Sequence, residues 1–272
     1  MDRKLTAFLL KYSAMNILIT AGGTSEPIDS VRCITNGATG RLGSLTADCF
    51  AASRKTVCIF YLCGKGACRP ETPLAQITEI AGAAELEKAA RDILAHNRVD
   101  AIIHSMAVSD YRTCAVSTAG LLAADLAAAL EENAKNPKDL KLRLESRLQN
   151  PPAINRETKI SSAEKKLILF LEPVPKIISL FSALAPEAIL VGFKMLSQVS
   201  KDELIDAAYS LLLQNRCAFV LANDKTQINA QSHIGYLVDQ NKNARRFESK
   251  REIAEGITES VLAAFAKRNA IK

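Results

Sequence analysis

The sequence has little of what marks metal-binding or membrane proteins. None of its seven cysteines forms a Cys-x-x-Cys pair, and its three histidines stand apart from one another. These spacings do not fit a zinc site, and scattered unpaired cysteines are typical of a reducing cytoplasm. No apolar run approaches the roughly 18 residues that a membrane-spanning helix needs. We therefore expect a cytoplasmic protein without a bound structural metal and without a membrane partner.

The charge balance and the composition suit a globular protein that handles small anions. The 35 basic and 29 acidic residues leave a net charge of +6, too small and too evenly spread to indicate a nucleic-acid partner. Hydrophobic residues make up 48% of the 272, enough for a full core in one large α/β domain. Residues 1–15 mix charged and apolar side chains, and we interpret them as an N-terminal extension to a single domain at 16–272.

Apolar runs of strand length alternate with amphipathic segments of helix length along most of this domain. The alternation predicts an α/β fold with a Rossmann-like, mostly parallel sheet flanked by helices. Near the end of the chain, two short apolar runs predict an antiparallel hairpin before a last helix. The predicted strands are 17–20, 56–62, 74–80, 100–108, 167–173, 188–193, 217–222, 233–238 and 244–247, and the predicted helices are 40–53, 83–96, 175–184, 201–215 and 251–267.

The alternation lapses from 110 to 166, far longer than an ordinary connection. We interpret this stretch as an insertion that carries one alanine- and leucine-rich helix, at 119–134. Residues 134–166 contain nine lysines and arginines against four acidic residues. Two interpretations stay open: a solvated basic surface, or a mobile lid that closes over a polyanion.

Two groups of small residues follow the first predicted strand, at 17–20. Residues 21–24 (Ala-Gly-Gly-Thr) come directly after it, and Gly37, Gly40 and Gly43 precede the helical run at 44–53. Glycines at such places expose backbone N–H groups and the positive end of a helix, a common way to hold phosphate. The stretch therefore indicates a nucleotide site at the end of the first strand.

A dinucleotide-dependent reductase is one interpretation of the second glycine group, which matches GxxGxxG. Tyr61 and Lys65 also have the YxxxK spacing of such reductases. The dinucleotide fingerprint, however, opens directly off the first strand, whereas here Gly37 comes seventeen residues after Thr20. Tyr61 and Lys65 also end the second strand, the wrong place for that catalytic pair. A purely structural turn is a further interpretation.

Read as a whole, the stretch ITAGGTSEPIDSVRCITNGATGRLG at 19–43 resembles the N-terminal signature of phosphopantothenate–cysteine ligases. Further blocks of the same family follow in the family's order and extend the resemblance from 16 to about 265. They are AVSDY at 107–111, TKISS at 158–162, EPVPKII at 172–178, VGFK at 191–194 and LAND at 221–224. No flavin-dependent decarboxylase segment precedes them, so the chain resembles the free-standing form of the family.

The resemblance implies a ligase of coenzyme A biosynthesis that joins 4′-phosphopantothenate to L-cysteine. Such an enzyme forms an acyl-nucleotidylate with CTP or ATP, releases pyrophosphate and then the nucleoside monophosphate, uses Mg²⁺, and completes its sites in a homodimer. We expect the Mg²⁺ to arrive on the nucleotide phosphates, because no carboxylate cluster in the sequence indicates a protein metal site. An NAD(P)-dependent reductase and a catalytically idle nucleotide-binding protein remain the alternatives.

The resemblance also implies three catalytic residues. Asn36 matches the asparagine that hydrogen-bonds the activated acyl intermediate, and an amide suits that role because it donates without adding a nucleophile. Arg32 precedes it in the same loop, where a guanidinium can clamp phosphate. Lys159 matches the lysine of the lid, placed to meet the phosphates during activation. Asn36 and Arg32 are also predicted to contact the substrate.

The remaining matches divide between a nucleotide site and a substrate site. Met106 stands where many members have alanine, and the family's basic residues after VGFK have no clear counterpart, so CTP and ATP both stay open. The predicted nucleotide-binding residues are Gly22, Gly23, Thr24, Gly40, Asp110, Pro175, Lys176, Phe193 and Lys194, and the further substrate-binding residues are Met106, Ala107 and Asp110.

Overall fold

The computed structural model describes residues 15–53, 55–131, 136–163, 165–229 and 232–271. The chain divides into two compact units. The first takes the described residues up to Thr24 together with Asn36–Val108 and those from Lys176 onward, and the second takes Ser25–Thr35 and Ser109–Pro175. The predicted N-terminal extension lies outside the described residues apart from Met15. The predicted insertion at 110–166 lies in the second unit, and the single domain at 16–272 stays a prediction.

The elements follow one another along the described ranges as alternating strands and helices. The strands are β1 (Met15–Ala21), β2 (Ser25–Pro27), β3 (Cys33–Thr35), β4 (Thr56–Gly64), β5 (Ala75–Ile80), β6 (Ala101–His104), β7 (Tyr111–Thr118), β8 (Leu167–Pro173), β9 (Ile189–Leu196), β10 (Phe219–Asp224), β11 (Gly235–Asp239) and β12 (Ala244–Phe247), and the helices are α1 (Arg41–Ala52), α2 (Ala83–His96), α3 (Ala119–Glu131), α4 (Pro137–Gln149), α5 (Ile177–Leu184), α6 (Lys201–Asn215) and α7 (Lys250–Ile271). No helix in these ranges is both long enough and apolar enough to cross a membrane.

The first unit is built on an eight-stranded sheet in the order β5-β4-β1-β6-β9-β10-β11-β12. The strands from β5 to β10 in this order run parallel, and β11 and β12 add an antiparallel pair at one edge. The predicted fold class, a mostly parallel sheet flanked by helices with a C-terminal antiparallel hairpin, is confirmed. The chain order reverses beside β1, because β4 lies on one side of it and β6 on the other. Open α/β sheets bind ligands at such a point, beyond the carboxyl ends of the strands.

Both faces of this sheet are buried. Side chains alternate between the faces along β1, so Ile17 and Ile19 pack in one cluster with Phe50 of α1, while Leu18 packs in the other with Phe181 of α5. All five side chains are fully buried, and each contributes roughly 1.5–3 kcal/mol to folding. Burial on both faces explains why these strands have continuous apolar sequences rather than alternating ones.

The second unit contains two antiparallel strand pairs, β2 with β3 and β7 with β8, and the helices α3 and α4. An ion pair of 3.0 Å between Arg147 Nη1 and Asp125 Oδ1 joins α4 to α3. The predicted strand at 167–173 is β8, but its partner is β7 rather than a strand of the large sheet. The predicted helix at 119–134 ends at Glu131 in the described residues, and 132–134 lie outside them.

The predicted lapse of regular structure at 110–166 is wrong, since β7 and α4 both lie inside it. A register shift between Thr113 and Ala115 interrupts the alternation of β7, which hides the strand in the sequence. Helix α4 has no buried residue, and charged residues surround its spaced leucines, Leu140, Leu144 and Leu148, which weakens the helical signal in the sequence although Asn136 caps the helix and Pro137 opens it.

Candidate active site

A cavity of about 490 Å³ opens in the first unit beyond the carboxyl ends of β1, β6, β9 and β10. Gly22 lines it after β1, Ser105 and Ala107 line it after β6, and Phe193 contributes from β9. The loop at 37–40 and the first turn of α1 form another part of its wall. The cavity therefore lies where the reversal of strand order predicts a ligand site.

The glycines of this wall let the backbone come close to a bound group. Gly40 is the N-cap of α1 and has a φ of 71°, a conformation that favours glycine. A Cβ on Gly43 would lie 2.6 Å from Ala21 Cβ, so only glycine allows α1 to pack this tightly on β1. In the first turn of α1 only the N–H of Arg41 donates to a side chain, Thr39 Oγ1 at 3.4 Å, which leaves the next N–H groups at the cavity available to an anion.

Asn36 is fixed at the rim of the cavity by hydrogen bonds to two backbone carbonyls. Its Nδ2 donates to the carbonyl of Ala107 at 3.2 Å, and its N–H donates to the carbonyl of Thr24 at 3.3 Å. A Cβ on Gly23 would lie 2.2 Å from the Asn36 carbonyl oxygen, so Gly23 makes room for the Asn36 backbone. Asn36 is exposed and lines the cavity, and none of the described residues donates to its Oδ1.

The cavity is strongly cationic. Among the described residues, three basic ones line it, Arg41, Lys225 and Lys250, and no acidic one does. None of the three forms an ion pair within the described part of the chain. Cations without a carboxylate partner in a concave site attract anionic ligands. A ligand with several phosphate groups has enough negative charge to pair with all three basic side chains.

His233 adds an uncharged ring to the cavity lining. Asn223 Nδ2 donates to the Ile234 carbonyl at 3.0 Å and lies 3.1 Å from His233 Nε2, so Nε2 is the acceptor and the ring hydrogen is assigned to Nδ1. His233 Nδ1 is buried and has no hydrogen-bond partner among the described residues. Burial and the charge of Lys250 lower the pKa of His233 to about 4, so the ring stays neutral at pH 7.

Tyr61 and Lys65, which have the YxxxK spacing of reductases, do not contribute to this cavity. Tyr61 is fully buried, and its hydroxyl donates to the carbonyl of Cys68 at 2.8 Å. Burial raises the pKa of Tyr61 far above its usual range. Neither Tyr61 nor Lys65 lines the cavity. A tyrosine held in this way cannot exchange a proton with a substrate.

Arg32, in the second unit, is engaged by an acidic neighbour. Its Nε and Nη2 donate to Asp29 Oδ2 at 2.9 and 2.5 Å, and Nη2 also donates to the Ile160 carbonyl at 2.9 Å. The predicted clamp on phosphate would thus have to use the remaining part of the guanidinium. Lys159 is exposed directly before the buried Ile160.

The structure brings five of the predicted site residues together around the cavity, namely Gly22, Asn36, Gly40, Ala107 and Phe193. Others belong to the same unit but are not part of the cavity lining: Gly23, Thr24, Met106, Lys176 and Lys194. Thr24 is fully buried, and Met106 packs in the core beneath the sheet edge. Arg32, Lys159, Asp110 and Pro175 belong to the second unit.

Several cavity residues escaped sequence reasoning. Asn223 lies in the LAND block, and its place at the end of a parallel strand was a usable signal. Lys225 follows two residues later. His233 and Lys250 had no such signal, because the hairpin of β11 and β12 separates them in sequence and the fold brings both to the same cavity.

Comparison with known proteins matches almost the whole chain to the family that the sequence motifs resemble. The model of the DNA/pantothenate metabolism flavoprotein C-terminal domain matches residues 12–140 and 151–265. A solved DNA/pantothenate metabolism flavoprotein from Streptococcus pneumoniae is 34% identical, with a TM-score of 0.73 over 92% of this chain and 100% of that one. A solved Cab2 variant in complex with phosphopantothenate-cysteine is 17% identical, covers 96% of this chain and 89% of that one, and has a TM-score of 0.64, which shows a shared fold.

Among curated relatives, the coenzyme A biosynthesis bifunctional protein CoaBC of Thermococcus kodakarensis is 28% identical over 90% of this chain and 50% of its own length. The chain spans about half the length of the curated relatives that it matches along most of its own. The resemblance read from the sequence motifs is confirmed at the level of the family. With its parallel sheet, its glycine-lined cavity and this match, the chain belongs to the family of the DNA/pantothenate metabolism flavoprotein C-terminal domain.

Proposed function

We propose that this chain is a phosphopantothenate–cysteine ligase of coenzyme A biosynthesis. The observation that carries the proposal is the cavity of the first unit, which combines Asn36, a glycine-lined helix start and three cations that have no carboxylate partner in the part of the chain that the structure describes. Relatives named for coenzyme A biosynthesis and a Cab2 structure named for its complex with phosphopantothenate-cysteine support the choice of substrates.

The reaction requires two steps because a carboxylate is a poor electrophile. A carboxylate oxygen of 4′-phosphopantothenate attacks the α-phosphorus of a nucleoside triphosphate, and the bond from that phosphorus to pyrophosphate breaks. The amine of cysteine then attacks the acyl carbon, loses a proton, and the nucleoside monophosphate leaves as an amide forms. Both steps require that polyanions be held together and that negative charge be neutralised as it shifts between oxygens.

The cavity residues have matching roles in this proposal. Arg41, Lys225 and Lys250 neutralise phosphate charge, and the N–H groups at the start of α1 bind phosphate oxygens. Asn36 provides an amide beside the acyl intermediate, where a charged or nucleophilic side chain would repel or capture it.

The second unit contributes Lys159 on the match of its TKISS block, as the lysine that meets the phosphates during activation. Within the described residues no group of three or more His, Cys, Asp or Glu side chains is arranged to hold a metal ion. We propose that Mg²⁺ comes with the nucleotide, whose phosphate oxygens are the ligands this hard cation prefers. A homodimer, and the choice between CTP and ATP, remain parts of the proposal.

The test is pyrophosphate release from the purified chain with 4′-phosphopantothenate, cysteine and Mg²⁺, with CTP and ATP in parallel. We expect release that requires phosphopantothenate, amide product that also requires cysteine, and a ratio of rates that gives the preferred nucleotide. A parallel NADPH titration checks the reductase alternative. Folded protein without turnover on either nucleotide would overturn the ligase and favour an idle nucleotide-binding protein.

A further inference from the structure

A buried carboxylate in the second unit accepts an unusual number of hydrogen bonds. Asp29 Oδ1 accepts from the N–H groups of Val31 and Arg32, at 2.9 and 2.7 Å. Asp29 Oδ2 accepts from the Arg32 guanidinium and from the N–H of Ile160, the latter at 3.1 Å. The carboxyl side chain is 0% exposed, and the Arg32 guanidinium holds its pKa far below the usual range. Asp29 is therefore charged at any pH at which the protein works.

Asp29 and Arg32 together hold both polar groups of one residue from a distant part of the chain. Asp29 Oδ2 accepts the N–H of Ile160, while Arg32 Nη2 donates to the carbonyl of the same Ile160 at 2.9 Å. These contacts join positions more than 120 residues apart in sequence, and the Ile160 side chain is buried. The backbone directly after Lys159 is thus fixed at two points.

A second arginine fixes the same segment from its other side. The guanidinium of Arg156 donates to the carbonyls of Pro27 and Ile28 at 2.6 and 2.8 Å, and to those of Thr113 and Cys114 at 3.0 and 3.2 Å. Lys159 lies between this anchor and Ile160. We call the two anchors, Asp29–Arg32–Ile160 and Arg156 with its four carbonyls, the double clamp.

We infer that Asp29 is a positioning residue for Lys159, acting through Arg32 and Ile160 rather than by contact with substrate. The inference rests on the proposed function, in which Lys159 meets the phosphates. A lysine side chain is long and flexible, so the place its ammonium can reach depends on where its backbone is held. The double clamp fixes that backbone before and after Lys159 and leaves the side chain exposed. Arg32 then serves the reaction mainly by completing the clamp.

The test compares Asp29→Asn with Glu172→Gln. The first variant places an amide N–H₂ or an uncharged oxygen opposite Arg32 and Ile160, and the second removes one partner of the exposed Arg112–Glu172 ion pair of the same unit, 2.6 Å long. We expect Asp29→Asn to lower kcat about 10- to 100-fold while the KM for nucleotide changes less than about twofold, because a misplaced group costs turnover and not ground-state binding. Glu172→Gln should retain the kcat of the wild type.

Two further measurements separate positioning from general damage. Trypsin should cleave after Lys159 at least about 10-fold faster in Asp29→Asn than in wild type or Glu172→Gln, because the released segment fits the protease. In a Lys159→Ala background, Asp29→Asn should lower kcat no further, since the residue through which it acts is gone. Arg32→Lys, which keeps the charge next to Asp29 but loses the fork to Ile160, should give the same changes more weakly if Asp29→Asn folds poorly.

Unchanged cleavage after Lys159 in both clamp variants would overturn the inference. So would an equal loss of kcat in the Lys159→Ala background. Wild-type protein without ligase activity would overturn the proposed function instead, and the cleavage assay would still decide whether the double clamp holds the segment.

Discussion

The cavity of the first unit and the double clamp of the second use basic residues in opposite ways. Arg41, Lys225 and Lys250 line a cavity without carboxylate partners among the described residues, whereas Arg32 and Arg156 have most of their donors committed to protein oxygens. A cation without a protein partner is available to a ligand, and one that donates mainly to protein oxygens stabilises the fold instead.

The same difference explains the basic stretch at 134–166. Its excess of positive charge suggested a solvated surface or a lid over a polyanion. In the structure much of it is paired within the second unit: Arg143 bonds Asp139 at 3.1 Å, Arg147 bonds Asp125 at 3.0 Å, and Arg156 bonds four carbonyls. The number of charges in a segment says little about ligand binding until the partners of each charge are known.

The largest effect on turnover should come from replacing Asn36 in the cavity. Asn36→Asp puts a carboxylate where the proposal needs an uncharged donor next to phosphate, so we expect turnover to fall about 100- to 1000-fold. Pyrophosphate and amide product, followed separately, should show that the second step suffers more than the first. Asn97→Asp is the matched control, because Asn97 is an exposed asparagine whose Nδ2 also donates to a backbone carbonyl. Equal loss in both variants would contradict a special role for Asn36.

Acid should weaken the first unit while the double clamp survives. Burial lowers the pKa of both His104 and His233 to about 4, below their usual 6.5, and both belong to the first unit. The unfolded chain binds protons at these histidines that the folded chain does not, so stability is lost as the pH falls from about 6.5 to about 4. The loss should reach roughly 3 kcal/mol per histidine.

Urea unfolding at pH 7, 6, 5 and 4.5 measures this loss. His104→Asn and His233→Asn should each remove about half of the pH dependence, and the double variant most of it. Cleavage by trypsin after Lys159, assayed after return to neutral pH, should stay slow, because Asp29 remains ionised throughout. A pH dependence that survives in the double variant would place the titrating groups elsewhere.

Removing the second anchor tests the structural use of a basic residue. Arg156→Ala leaves the carbonyls of Pro27, Ile28, Thr113 and Cys114 without their donor, and we expect a loss of about 2 kcal/mol in the free energy of unfolding. Arg112→Ala breaks only an exposed ion pair and should cost less than about 1 kcal/mol. The urea midpoints of the two variants give the comparison, and equal midpoints would show that the four carbonyl contacts contribute nothing special.

Neutralising single cavity cations should have the smallest effect, on affinity alone. Lys225→Gln and Lys250→Gln should each weaken nucleotide binding about 5- to 10-fold and reduce its dependence on salt, with the urea midpoint unchanged. Arg143→Gln removes a charge of the same sign from the paired surface of the second unit and should change the affinity less than about twofold. Calorimetric titration with CTP or ATP distinguishes the two kinds of variant. A similar loss in all three would mean that net charge, rather than the cavity, attracts the nucleotide.

Most of the parallel sheet was predictable because its signal is local. The runs at 56–62 and 217–222 are apolar on both faces since both faces are buried, and β4 and β10 lie there with slightly different ends. Strands β2 and β3 escaped prediction because three residues give no periodicity, and α4 escaped because it buries no residue.

The sequence by itself determined the fold class, the family and the place of the glycine-lined turn, because each depends on residues that are neighbours in the chain. Only the tertiary structure decided which charged side chains bond to protein groups and which remain available to a ligand. Arg32 and Arg41 are both arginines and lie nine positions apart. Arg32 donates hydrogen bonds to Asp29 and Ile160, whereas Arg41 lines the cavity. Partners such as Ile160 and His233 come from distant segments, and a linear pattern carries no record of which distant groups the fold brings within hydrogen-bond distance.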